Sequence, residues 1–186
     1  MAVDRWNIDP AHSNIEFAVR HLMLSTVKGR FGDVAGSVQT DEAKPSAAQV
    51  NVTIQVASID TRQPDRDAHL KSPDFFDVEK FPTITFKSKR LQGDPTGEFT
   101  LTGDLTIHGV TREVTLNVTA EGRGNDPWGN ERLGFSATGK IDRREFGLTW
   151  QQALEAGGIA VGHDIKLAID VELVKAPAGQ PAGAAA

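Results

Sequence analysis

The chain has 186 residues, 39% hydrophobic and 24% charged, the proportions of an ordinary globular protein with room for one domain. It has no cysteine, which excludes a disulfide framework, a thiolate nucleophile and a cysteine-based zinc site. A formal net charge of −5 argues against a nucleic-acid backbone or an anionic membrane surface as partner, since such affinity is carried by clustered Lys and Arg.

The opening MAVDRWNIDPAHSN holds acidic and polar residues where a secretory signal needs an unbroken apolar run, so the expected location is cytoplasmic. Apolar runs are only a few residues long throughout, so stable membrane insertion is not expected. Period-two alternation begins in SNIEFAVRH (13–21), with Ile15, Phe17 and Val19 set against Glu16 and Arg20. QVNVTIQVAS (49–58) aligns Val50, Val52, Ile54 and Val56. EFTLTGDLTI gives Phe99, Leu101, Leu105 and Ile107; EVTLNVTAEG gives Val114, Leu116, Val118 and Ala120; DIKLAIDVELV gives Ile165, Leu167, Ile169, Val171 and Leu173. Residues 82–91 and 132–141 are weaker strands of the same kind. One dry and one wet face per strand is the mark of antiparallel sheet, and the short Gly-containing links IHGVTRE and GRGNDPWGNE suit hairpins. About eight strands with almost no long helix predict an all-β barrel or sandwich, between which periodicity does not choose.

Between the strands lies SIDTRQPDRDAHLKSPDFFDVEKFP (58–82), dense in aspartate. A metal held by Asp65, Asp67 and His69 would need a strand, because spacing of two diverges on a helix, and the local signals are helical. Asp65 after Pro64 reads as an N-cap, and Ser72-Pro73 repeats the start signal, giving two short helical turns over about 65–78. The favoured reading is a capped, solvated connector whose apolar Leu70, Phe75, Phe76 and Phe81 close one end of the sheet structure.

The other histidines, His12, His21, His108 and His163, share no metal spacing, and no G-x-S-x-G turn supports a serine nucleophile. Trp128 is either a lid or a residue packing its own hairpin. In RREFGLTW (143–150), an arginine, Arg143 or Arg144, either holds an acidic head group or, preferably, forms a surface ion pair.

WNIDPAHSNIEFAVRH, VKGRFGDVAGSV, the 58–82 stretch with RDAHLKSPDFFD before FP, LTGDLTIHGVTREVTL, WGNERLGFSATGKIDRREFGLTW and VGHDIKLAIDVEL together resemble the YceI-like family from about Trp6 to Leu173. The resemblance implies an extended lipocalin-like antiparallel β-barrel over residues 1–175, followed by a disordered Ala/Pro/Gly tail at 176–186. It implies an apolar interior holding one long amphiphile, a polyprenyl chain or isoprenoid quinone, in a dimeric protein with no established reaction. No cofactor beyond that ligand and no catalytic or metal residue is expected.

With the barrel as frame, apolarity assigns Phe17, Val19, Phe31, Val52, Ile54, Phe86, Leu101, Leu116 and Leu167 to the pore, joined by Leu70, Phe75 and Phe76 from the connector. Small residues Ala18, Gly103, Ala137 and Gly139 would leave space inside. Met23 and Leu24 flank the entrance, or cover a sheet edge or dimer contact. Two alternatives to a lipid carrier stand: an enzyme using His21, His69, Asp67 or Arg143, and a packed barrel serving only as an interaction module.

Overall fold

The computed structural model describes residues 3–179, and their alternating segments are strands. These are β1 (Val3–Ile8), β2 (Asn14–His21), β3 (Ser25–Phe31), β4 (Val34–Asp41), β5 (Gln49–Gln55), β6 (Ile59–Asp60), β7 (Thr83–Gly93), β8 (Glu98–Ile107), β9 (Val110–Asn125), β10 (Glu131–Asp142) and β11 (Asp164–Lys175). The one α-helix among the described residues is α1 (Pro64–Lys71).

All pairings are antiparallel, and the order β1-β4-β5-β7-β8-β9-β10-β11 returns to β1 at Trp6–Lys175 through Ile8–Leu173. Eight strands therefore close a ring. The remaining segments lengthen that ring. One edge of β11 is taken by β10 along its whole length, so β1 and β2 share the other, β2 pairing from Asn14–Asp170 to Ala18–Lys166. They are two halves of one strand, bent at the 3-10 turn Pro10–His12. In the same way β3 and β4 break at Gly32 and Asp33, and β5 and β6 at the 3-10 turn Val56–Ser58. The three bends lie on neighbouring strands, giving an up-and-down barrel with one kinked seam. Because β5 ends at Gln55, Val56 leaves the strand expected for it and is buried in the turn.

Strand direction sorts the loops into two ends. The chain's first strand, loops 42–48 and 94–97, and the 126–130 hairpin lie at one end; the β2–β3 hairpin, residues 61–82, the His108–Gly109 turn and residues 143–163 lie at the other. His108 and Gly109 both have positive φ, the two-residue turn whose twist matches its strands.

The 61–82 connector is less helical than expected. Gln63 occupies the N-cap position with no side-chain bond, Pro64 begins the helix, and Asp65 lies in its first turn. After Lys71 the chain runs on as successive turns, not a second helix, with Ser72 accepting from the Asp74 amide. Asp67 instead receives the amide (2.9 Å) and hydroxyl (2.5 Å) of buried Thr61, while Arg66 reaches the same hydroxyl and carbonyl. His69 pairs with Asp74. Asp60, which accepts the Arg62 amide, and Asp67 are thus spent on holding the chain as it leaves β6.

Just past β11, Ala176 donates its amide to the Arg5 carbonyl. Residues 180–186 of the expected disordered tail lie outside the described residues.

Outside the bend of β1 and β2, Arg132 reaches Asp9 (2.7 Å), Asp126 (2.9 Å) and Glu172 (2.5 Å). Ligand atoms of Asp9, His12 and Glu172 lie within 4.8 Å of one another, and the positive charge among them is this guanidinium. Burial opposes ionisation of Asp9, yet Arg132 and His12 hold its carboxyl below the ordinary range. Asn130 and then Arg132 hold Asp126 low as well, and the Arg144 fork lowers Asp142 to about 2. Carboxyls held low in the folded state stabilise it above their unfolded value, and that contribution is lost as pH falls through the folded value. Melting temperature is therefore expected to stay level down to about pH 5 and to fall between about pH 4 and 2. Thermal melts across that range check it, and Arg132→Gln should flatten the fall; a wild-type curve level through the whole range would refute it.

Candidate functional site

The inward rows of the strands enclose a cavity of about 870 Å³. That is near the top of the roughly 300–1,000 Å³ usual for ligand pockets. Phe17, Val19, Val52, Phe86, Leu116, Leu167 and Ile169 all line it and are only half-buried, because the surface they keep faces the void. Eight strands give an interior wide enough to be filled by side chains or to hold a ligand, and here it is not filled.

Glycines on the wall explain part of that space. A Cβ on Gly29 would sit 2.4 Å from the Phe17 ring, on Gly103 2.6 Å from the Phe86 ring, and on Gly139 2.7 Å from Leu116. Each glycine lets a large neighbour lie along the wall. Gly103 and Gly139 thus act by seating their neighbours, while Ala137 lines the cavity directly. Ala18 does not line it: its neighbours Phe17 and Val19 do, which puts Ala18 on the outer face.

The structure places all twelve candidate pore residues on the cavity wall. Phe17, Val19, Val52, Ile54, Phe86, Leu101, Leu116 and Leu167 come from strands. Leu70, Phe75 and Phe76 come from the connector and close the floor, where Phe31 meets Phe17 at 5.6 Å and Phe76 edge-on at 6.1 Å. Phe81 is not among them; it packs on His108 at 4.6 Å. Sequence reasoning missed the rest of the floor, Phe146, Leu148 and Val161, although the alternation Phe146-Leu148 is a readable signal. It also missed the inward Trp6.

Arg143 itself fits neither reading made of this stretch. Its side chain is buried, 4% exposed, and donates to the carbonyls of Leu148 (2.7 Å), Trp150 (2.9 Å), Gly162 (2.8 Å) and Val161 (3.2 Å). Desolvation lowers its pKa from the ordinary value. The surface ion pair belongs to its neighbour Arg144, forked on Asp142. Gln151 completes the bracket by donating to the Val161 carbonyl and accepting its amide. Trp150 then packs tilted against Phe75 at 5.3 Å and edge-on against His69 at 4.9 Å, joining the two connectors of the floor.

At the opposite end Asp4, Thr40, Asp41, Glu42, Thr96 and Arg123 form a polar mouth. Met23 and Leu24, 62% and 80% exposed, sit on the β2–β3 hairpin at the floor end and do not line the cavity, so they do not flank this mouth. Trp128 is 81% exposed and neither covers the mouth nor packs its hairpin, which is held instead by Asp126 accepting from Trp128 and Asn130. Of the four residues considered for an enzyme, only Arg143 lines the cavity; His21, His69 and Asp67 do not join it.

A family model described as the YceI-like domain matches residues 6–173. The chain belongs to the YceI-like family. Protein YceI of Salmonella newport (strain SL254) is 45% identical over 140 residues, covering 74% of this chain and 72% of that protein. The YceI protein of Campylobacter jejuni superposes with a TM-score of 0.70 at 35% identity, over 85% of this chain and 90% of that one. A polyisoprenoid binding domain from Saccharophagus degradans shares the fold, with a TM-score of 0.65 at 14% identity over 92% and 98%. The YceI-like barrel is hollow in this chain, which contradicts the packed-barrel alternative.

Two outcomes follow from wall and floor. Phe146, fully buried in the floor, should cost about 3–5 kcal/mol when changed to Ala, whereas Leu116→Ala on the void should cost less than about 2 kcal/mol. Denaturant unfolding measures both, and equal losses would mean a packed interior. Arg143→Met leaves carbonyls unpaired at about 1–3 kcal/mol each, so hydrogen exchange should quicken across residues 148–162 while β8 and β9 stay protected. Unchanged exchange there would show that the guanidinium does not hold the loop.

Proposed function

We propose that this chain binds one long amphiphilic isoprenoid lipid, a polyprenyl chain or an isoprenoid quinone, inside the barrel, and carries or sequesters it without chemical change. The observation that carries this reading is a cavity of about 870 Å³ whose wall is apolar from floor to mouth, its polar side chains confined to the two ends. Moving an alkyl chain from water into such a wall gains about 0.8 kcal/mol per methylene, so desolvation alone retains a chain of several prenyl units. The fold shared with a polyisoprenoid binding domain supports the ligand class. The scattered placement of His21, His69 and Asp67 supports binding without catalysis, and the lipid is the only small molecule this reading requires.

Native mass spectrometry of freshly purified protein, followed by organic extraction, tests it. One prenyl lipid or quinone per chain, lost on extraction and regained on incubation, is the expected result. A clean apo mass that stays unchanged after incubation with prenyl alcohols and quinones would overturn it.

A further inference from the structure

The cavity is not only open at one end; its mouth is charged in one direction. Of the described side chains lining it at that end, Asp4, Asp41 and Glu42 are carboxylates and Arg123 is a cation, while Glu121 turns its carboxylate outward to the Ser136 hydroxyl. Arg123 is engaged by Glu131, and Lys175 joins Asp4 (3.0 Å) to the same Glu131 (3.3 Å). Counting those two partners leaves four carboxylates against two cations. Lys44 shares the exposed loop of Glu42 but does not line the cavity. The hydroxyls are also committed: Thr96 donates to Asp94, and Thr40 accepts the Trp6 indole N–H.

Strand irregularity places the cation. Gly134 pairs with Gly122 but Phe135 with Ala120, so Glu121 is an extra residue in β9. Before that bulge the even positions Val114, Leu116, Val118 and Ala120 line the cavity, and beyond it Arg123, paired with inward Leu133, does. A regular strand would have turned Arg123 outward; the bulge resets the alternation so that Arg123 reaches the mouth, while Glu121 accepts from Ser136 on the outer face. At the far end the Arg143 donors face four carbonyls, so the floor offers no competing anion site.

We infer that the amphiphile bound in this barrel carries an uncharged or cationic, hydrogen-bond-donating head group, a hydroxyl, amide N–H or ammonium, and that diphosphate and carboxylate heads are rejected at the mouth. The inference rests on the lipid-carrier reading and adds the head to the tail. A donor seated among the carboxylates gains charge-assisted hydrogen bonds, whereas an anion there meets like charge with no free guanidinium to answer it.

Binding of prenyl compounds of one chain length, bearing an amine, an alcohol or a diphosphate, is measured on the delipidated full chain by displacement of a fluorescent fatty probe. The diphosphate should bind on the order of tenfold or more weaker than the alcohol at low salt, with the gap narrowing as ionic strength rises. Asp41→Asn combined with Glu42→Gln should narrow the same gap several-fold without salt. Diphosphate binding as tight as the alcohol, in wild type at low salt, would overturn this inference and leave the carrier reading standing. Failure of all three compounds to bind would overturn the carrier reading and this inference with it.

Discussion

Closing an apolar barrel with irregular chain takes carbonyl groups away from water, and each then needs a donor. Arg143 supplies donors to four of them at once, on residues 148, 150, 161 and 162, which are the two sides of one long connector. With the connector clasped, Phe146 and Leu148 fall beneath the lumen, and Trp150 is set against Phe75 and His69 of the other connector. The floor is therefore organised by a polar group although its face is apolar. That commitment also decides where recognition happens, because a guanidinium with four acceptors has little left for a ligand.

The regions that the sequence made legible are those where alternation is clean. β8, β9 and β11 read directly, and the connector's apolar residues were recognisable as anomalies among charges. β1, β3 and β4 were hidden for a physical reason. Their inward positions include Asp4 at the mouth and Gly29 and Gly36, which face Phe17 and Ile8 so closely that no Cβ fits. Each breaks the apolar pattern while serving the interior. β6 has two residues and carries no period at all. Arg143 was legible as a residue of interest, but its burial depends on carbonyls up to 19 positions away, which no local pattern encodes.

Departures from regular strand fall at the barrel's special places. The extra residue at Glu121 changes which side chains reach the mouth, and a second irregularity at Lys89 in β7 puts Leu91 on the wall after Ile84 and Phe86. Lys89 itself points to an outer cluster with Asp104 and Glu113. The three bends of the seam likewise let one strand serve two levels of the barrel. Volume inside, polarity at the rim and closure beneath thus arise from glycines, bulges and bends, each a local cost to the sheet.

The closing seam has an implication for how the chain is made. β1 and β2 find their second edge only on β11, and the contacts that fasten the seam, Lys175 to Asp4 and the Glu172 amide to Ser13, span 171 and 159 positions. Through most of synthesis the amino-terminal hairpin therefore waits with one side unpaired, and the hollow it borders has no complete wall. Such distant pairing is the slow kind, and an open strand edge beside apolar surface is the form most exposed to wrong partners. Asp4 and Asp9 keep that edge hydrated until Arg132 and Lys175 arrive with the last strands, so the same carboxylates that clasp the finished barrel also guard the unfinished one.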